Sequence, residues 1–188
     1  NYSSTTADNR GVLLFGGYQW DAMSGAEIAQ GHNSAFVDKQ NRSFVVYHTR
    51  FSNGGEGHQV RVHQLFLNDE GWLMAAPFEF DGETITDGAI ASKASIADAE
   101  IAGDYQFMRH QYGQNTKAKA FETPVNITLN ADGTITGAEK GTWKRTAGTD
   151  YIHLTINNVV YRGVLVKQTV DYTNIPAIAI SALSSSSG

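Results

Sequence analysis

The chain has 188 residues, with 14 Lys and Arg against 19 Asp and Glu, so the net charge is 14 − 19 = −5; 41% of residues are hydrophobic and 18% charged. This composition excludes a disordered acidic chain, and the singly scattered basic residues exclude a nucleic-acid-binding stripe. No apolar run reaches the roughly 18 residues that cross a bilayer, and the absence of cysteine excludes a disulfide scaffold, a thiolate metal site and a Cys nucleophile. Asn1-Tyr2-Ser3-Ser4 is not a signal peptide, so the N-terminus is expected to arise by processing or cutting.

Apolar residues recur at the strand period. In chain order, strands are expected at 11–20, 34–38, 42–51 and 58–68, with a short run at 72–78. Ser43-Phe44-Val45-Val46-Tyr47-His48 and Leu65-Phe66-Leu67 are apolar on both faces, the pattern of strands covered on two sides. Four antiparallel strands in this space match one blade of a β-propeller, and a single blade cannot bury both faces without neighbours. The stretch from Asp81 to Ala94 is polar and small, which suits a boundary. About Ala89 to Ile101 is the one plausible helical stretch, and linker describes it equally well.

Simple alternation follows. Val125, Ile127 and Leu129 share a face, and Ala131-Asp132-Gly133 offers turn chemistry into Thr134-Ile135-Thr136. Ile152, Leu154 and Ile156 repeat the pattern, and Asn157-Asn158 suits a tight hairpin because Asn tolerates positive φ. The tail Ser184–Gly188 is low-complexity. The chain is all-β. Pattern alone leaves two architectures open, a blade followed by a barrel or sandwich, or one ordinary sandwich of all the strands.

Gly31-His32-Asn33-Ser34, Val46-Tyr47-His48-Thr49-Arg50-Phe51, Gly57-His58 through His63-Gln64, Gly71-Trp72 and Ala76-Pro77 occur in that order. This series resembles the last blade of the arabinan-degrading enzymes of glycoside hydrolase family 43, with Gly11-Val12 and Gly16-Gly17-Tyr18 similar to the strand entering it. Beyond residue 81, Gly141-Thr142-Trp143 and the strands after it are similar to the C-terminal barrel-like domain of the longer extracellular arabinanases. A closing strand beyond the Ser-rich tail, expected on that likeness, is not in these 188 residues. The resemblance implies the end of a five-bladed β-propeller over 1–80, a linker over 81–97, an antiparallel β-barrel or sandwich accessory domain over 98–188, and a secreted or extracellular setting.

It further implies an inverting hydrolase of α-1,5-L-arabinan, which needs a carboxylate base and a carboxylic acid about 6.5–9.5 Å apart. Those residues belong to earlier blades, so no catalytic residue is assigned in this chain. Asp38 and Glu56 read as solvated turn carboxylates. The resemblance places His32 in the central channel, holding a calcium ion whose other ligands are mostly water. His48 and Arg50 share one strand face, as do Arg61 and His63; pairing with carboxylates or carbonyls is expected for these, with contact to sugar hydroxyls the alternative. His48, His58 and His63 lack the spacing of a zinc site. Trp20 and Trp143 are expected in the core, with sugar stacking as the other reading. Asn-x-Ser/Thr occurs at Asn1, Asn41 and Asn126, which matters only in a glycosylating host.

Two functions remain: the C-terminal portion of an arabinanase acting on arabinan or arabino-oligosaccharides, or a non-catalytic carbohydrate-binding or packing β module. Burying each large apolar side chain contributes about 1.5–3 kcal/mol, so a blade with one wet face forfeits on the order of 10 kcal/mol. The chain is therefore expected to be stable only beside the N-terminal remainder of the same enzyme as a second chain. Size-exclusion chromatography with denaturing gels checks this, and a monodisperse, folded 188-residue species without a companion fragment counts against it.

Overall fold

A computed structural model describes residues 13–55, 57–82, 91–110 and 120–184. Strands β1 (Glu27–Val37), β2 (Ser43–Phe51), β3 (His58–Leu67) and β4 (Leu73–Ala75) form one antiparallel sheet in that order. A single 3-10 turn at Asp98–Glu100 precedes β5 (Gly103–Phe107), β6 (Val125–Leu129), β7 (Thr134–Gly137), β8 (Gly141–Arg145), β9 (Tyr151–Ile156), β10 (Val159–Thr169) and β11 (Pro176–Ser184). These seven make an up-and-down sheet in which each strand pairs with its sequence neighbours. The result is a half-barrel with β5 and β11 at its two edges. No α-helix occurs among the described residues, and none of their helices is long and apolar enough to cross a membrane.

The half-barrel follows its sequence pattern. Ile152, Leu154 and Ile156 alternate inward along β9 and meet Ile127, Leu129, Ile135 and Leu165 in one cluster. Gly133 takes φ +85° in the β6–β7 turn, and Asn157 and Asn158 take φ +51° and +65° between β9 and β10. Those are the conformations a two-residue hairpin demands. Trp143 packs against the cluster and donates its indole N–H to the Asn130 carbonyl at 2.8 Å.

The four-stranded sheet departs from expectation at its start. Residues 13–20 hold isolated bridges at Tyr18, to Glu27 and to Glu122, instead of a strand, because Gly16-Gly17 weakens an extended run. Tyr18 exchanges backbone hydrogen bonds with Glu27 at 3.0 and 2.8 Å, while Gln19 donates to Glu122 at 2.9 Å. The expected strand at 34–38 begins at Glu27 instead, with Gln30-Gly31-His32-Asn33 a bulged part of it. Residues 89 and 90 of the expected helical stretch lie outside the described residues, and the rest of it is turns and the 3-10 turn.

The two sheets remain separate but share an apolar cluster. Phe66, Met74 and Ala76 pack with Val164 and Val166 of β10 and with Ala91. On the opposite face Val45, Tyr47, Leu65 and Ala75 meet Leu14 and Phe15. The chain therefore supplies part of the cover for both sheet faces, while Phe36, Val37 and Val60 stay exposed. Polar clamps reinforce the junction: Asp69 accepts from His153 at 2.6 Å and from Arg162 at 3.0 Å, and Gln168 exchanges hydrogen bonds with the Phe78 backbone. Within the segment joining the sheets, Ser95 donates through its N–H and hydroxyl to Asp150, and Ala91 and Ile96 are buried.

Ile152 is fully buried at the half-barrel's centre. Ile152→Ala is expected to cost about 2–5 kcal/mol through lost contacts and a residual cavity, read as a lowered urea midpoint with an unchanged slope.

Candidate functional site

His32 sits in a doubly irregular stretch of β1. The pairing with β2 slips between Ile28 and Gly31 and again between Gly31 and Ser34. Ala29 has φ +54° and His32 φ +50°. Positive φ is uncommon outside glycine, and bulges at sheet edges re-aim side chains beside functional sites. The exposed His32 ring meets the His48 ring edge-on at 5.7 Å, and His48 meets His58 at 4.8 Å. Arg50 Nε donates to His58 Nε2 at 2.9 Å. His32, His48, His58 and Arg50 thus form a row across three neighbouring strands. Burial holds His48 below the usual imidazole range, and its neighbours His58, His32 and Arg50 act in the same direction.

Among the described residues no group of three or more His, Asp or Glu is arranged to hold a metal ion. A hard cation ordinarily takes oxygen ligands, so the donor set here fits one bound largely by water, with His32 offering a single imidazole nitrogen. The sequence grouped His48 and His58 with His63, but the strand register puts His63 on the other face and His32 takes its place.

That other face carries a buried polar network. Register sets Tyr47 opposite Arg61 and Val45 opposite His63, and cross-strand partners point to the same side. The Glu27 carboxylate, 1% exposed, accepts from Arg61 Nε at 3.0 Å and from the Tyr47 hydroxyl at 3.1 Å. Arg61 Nη2 donates to Gln59 Oε1 at 2.9 Å and to the Tyr172 hydroxyl at 2.6 Å, and Glu79 lies 3.5 Å from Nε. Burial raises the Glu27 pKa against the pull of Arg61, while Arg61, flanked by Glu79 and Glu27, stays charged. His63 Nδ1 lies 2.8 Å from the Ala76 carbonyl. A carbonyl only accepts, which assigns the proton to Nδ1, and burial pushes His63 down to about 4. Arg61 and His63 are thus paired with a carboxylate and a carbonyl, as expected from the sequence.

Asp38 is a turn residue: its carboxylate accepts from the Gln40 and Arg42 backbones and pairs with Arg42 at 2.7 Å. Glu56 lies outside the described residues. Trp20 is buried against Tyr18 and Phe78. A cavity of about 980 Å³ runs between the sheet and the half-barrel, lined by Phe15, Trp20, Met74, Tyr105, Leu154 and Ile180.

The architecture defines a class, a four-stranded antiparallel sheet joined to an open up-and-down half-barrel. A family model for the C-terminal lipocalin-like domain of glycoside hydrolase family 43 matches residues 77–188, and the chain belongs to that family. The extracellular endo-α-(1→5)-L-arabinanase of Thermotoga petrophila is 40% identical over 177 residues, 88% of this chain and 35% of that protein. The extracellular endo-α-(1→5)-L-arabinanase 2 of Bacillus subtilis is 38% identical over 162 residues, 84% of this chain and 32% of that protein. A crystal structure of a glycoside hydrolase family 43 protein from Bacillus licheniformis superposes with a TM-score of 0.79 at 34% identity, covering 91% of this chain and 36% of that one. The chain spans about a third of the length of the curated relatives it matches.

The two units meet at a titrating contact. Asp171, in the β10–β11 turn, accepts the Glu79 N–H at 2.9 Å. Burial pushes its carboxyl up to about 7; the Glu79 N–H and Arg61 oppose this, and the charges of Glu27 and Glu79 add to it. The folded state holds this proton more tightly than the unfolded chain, whose Asp titrates near 3.8. Its contribution is fully present below pH 3.8 and is lost as pH rises through about 7. His63 and His110, pushed down to about 4 by burial, act in the opposite sense, losing stability as pH falls below 6.5. Asp171→Asn keeps the acceptor oxygen and removes the titration. The difference between wild-type and variant unfolding midpoints should therefore shift against the wild type between pH 4 and 7; a constant difference refutes the assignment.

Proposed function

We propose that this chain is the C-terminal portion of an inverting family 43 hydrolase that cleaves α-1,5-L-arabinan outside the cell. The observation that carries this is the 40% identity running for 177 residues through both units. On this reading the β1–β4 sheet is the last blade of a five-bladed propeller, and exposed Phe36, Val37 and Val60 meet the neighbouring blade. The acid and base lie in the N-terminal remainder of the enzyme, held about 6.5–9.5 Å apart so that water reaches the anomeric carbon opposite the leaving oxygen. The relatives' names favour endo action. His32 holds the hydrated cation, calcium, whose charge lowers neighbouring carboxylate pKa values.

The test compares the 188-residue chain with the full-length polypeptide on linear arabinan. The chain alone should release no oligosaccharides. The full polypeptide should release products of mixed length, with inverted anomeric configuration by proton NMR. Hydrolysis by the chain alone, or retention of configuration by the full polypeptide, overturns the reading.

In the full polypeptide, His32→Ala is expected to lower kcat by roughly tenfold or more, on the scale of lost metal-site support, with little change in melting temperature. Full activity, equally sensitive to chelator, removes His32 from the cation site.

A further inference from the structure

A second, smaller cleft lies at the end of the β2–β3 hairpin, where the two units meet. Its volume is about 290 Å³, close to the lower limit of about 300 Å³ for small-ligand pockets. Phe51, Asn53, His58 and Gln59 line it from the sheet, and Tyr172 lines it from the β10–β11 turn of the half-barrel.

Tyr172 combines exposure with rigid support. Its residue is 61% exposed, the most exposed of the large aromatic side chains among the described residues. Yet its hydroxyl is held at 2.6 Å by Arg61, which is 7% exposed and itself held by buried Glu27. The Arg61 guanidinium lies 5.2 Å from the Phe51 ring centroid and 5.9 Å from that of Tyr172. The Tyr172 backbone has φ +62° inside a turn closed by the Val170–Ile175 and Thr173–Val170 hydrogen bonds. Such backbone strain persists where surrounding structure enforces it, often at ligand clamps. An aromatic side chain facing water would ordinarily move; this one is anchored at its tip and at its backbone.

The lining chemistry narrows the ligand. Asn53 and Gln59 bring amide groups. Arg61 is balanced by Glu27 and Glu79, leaving no unmatched cation to recruit a phosphate or a carboxylate. An apolar ring face beside neutral donors and acceptors suits a sugar, whose C–H face stacks on aromatics while its hydroxyls take hydrogen bonds. We propose that Phe51, Asn53, Gln59 and Tyr172 form a binding site for a neutral glycan, with Tyr172 as its stacking platform. Resting on the reading above, the glycan is a furanose unit of the arabinan chain, and the half-barrel is thereby a direct contributor to polysaccharide binding.

The experiment uses the full-length polypeptide, with Tyr172→Ala and Tyr172→Phe. Affinity electrophoresis in gels containing linear arabinan, or another neutral polysaccharide, reads binding; steady-state kinetics compares polymer with arabinotriose. Tyr172→Ala is expected to weaken retardation and raise KM on polymer by roughly two- to tenfold, the scale of one lost aromatic contact. kcat should change little, and KM on arabinotriose should stay constant. Tyr172→Phe should retain most of the binding because the ring remains. If Tyr172→Ala leaves both retardation and polymer KM unchanged, or lowers only the melting temperature, the proposal is overturned while the arabinan reading stands. If the polypeptide ignores arabinan but is retarded by another neutral glycan, and Tyr172→Ala abolishes that retardation, the site stands and the arabinan reading falls.

Discussion

A guanidinium in the interior of a protein must be matched on every side, and Arg61 is the group around which this chain is arranged. Removing one partner of a buried ion pair typically costs about 3–5 kcal/mol, because the charge left behind is neither solvated nor paired. Here the partners come from separate places: Glu27 from β1, Gln59 from Arg61's own strand β3, Glu79 from the segment after β4 and Tyr172 from the half-barrel. Satisfying Arg61 therefore fixes the first strand of the sheet against the third, and fixes the β10–β11 turn against both. The apolar cluster of Phe66, Met74, Val164 and Val166 buries apolar surface between the units. It is non-directional, and the hydrogen bonds to Arg61 set how the turn is oriented on it.

The period of two along β2 and β3 gives the sheet faces different chemistry. One face holds Tyr47, Arg61 and His63 in a closed, nearly water-free network. The other carries His48, Arg50 and His58 toward solvent, with His32 added from the bulged strand. A neutral His63 and a permanently charged Arg61 are thereby kept from the row of exposed imidazoles by the thickness of a single sheet. Structural polar groups and candidate ligand-facing groups alternate residue by residue in the same two strands, so a count of histidines cannot separate them and the strand register can.

Much of the fold was legible in the sequence where local chemistry decides it. Ile152, Leu154 and Ile156 announced β9, Asn157-Asn158 announced the following turn, and β2 and β3 fell within a residue or so of their expected limits. β1 was legible only in its second half, because Gly31 and Asn33 carry turn propensity that tertiary pairing with β2 overrides through two bulges. His32 was visible through its motif, but its proximity to His48 depends on that bulge. The Arg61–Tyr172 bond spans 111 residues of sequence and leaves no periodic or spacing signal at either end. The shared cluster was equally hidden: Phe66 read as a residue awaiting another blade, and its partners are partly Val164 and Val166 of this same chain.

The irregularity of β1 also bears on how this sheet behaves toward other chains. β1 is the outer strand of its sheet, and an outer strand presents backbone donors and acceptors that can template pairing with a foreign strand. From Ile28 to Ser34 the two slips in register break the even spacing that such a template needs. From Ser34 to Val37 the register is unbroken, opposite Val46, Val45, Phe44 and Ser43, and the outer residues Phe36 and Val37 are exposed and apolar. Edge-to-edge association, and the aggregation it seeds, is thus confined to one end of the strand.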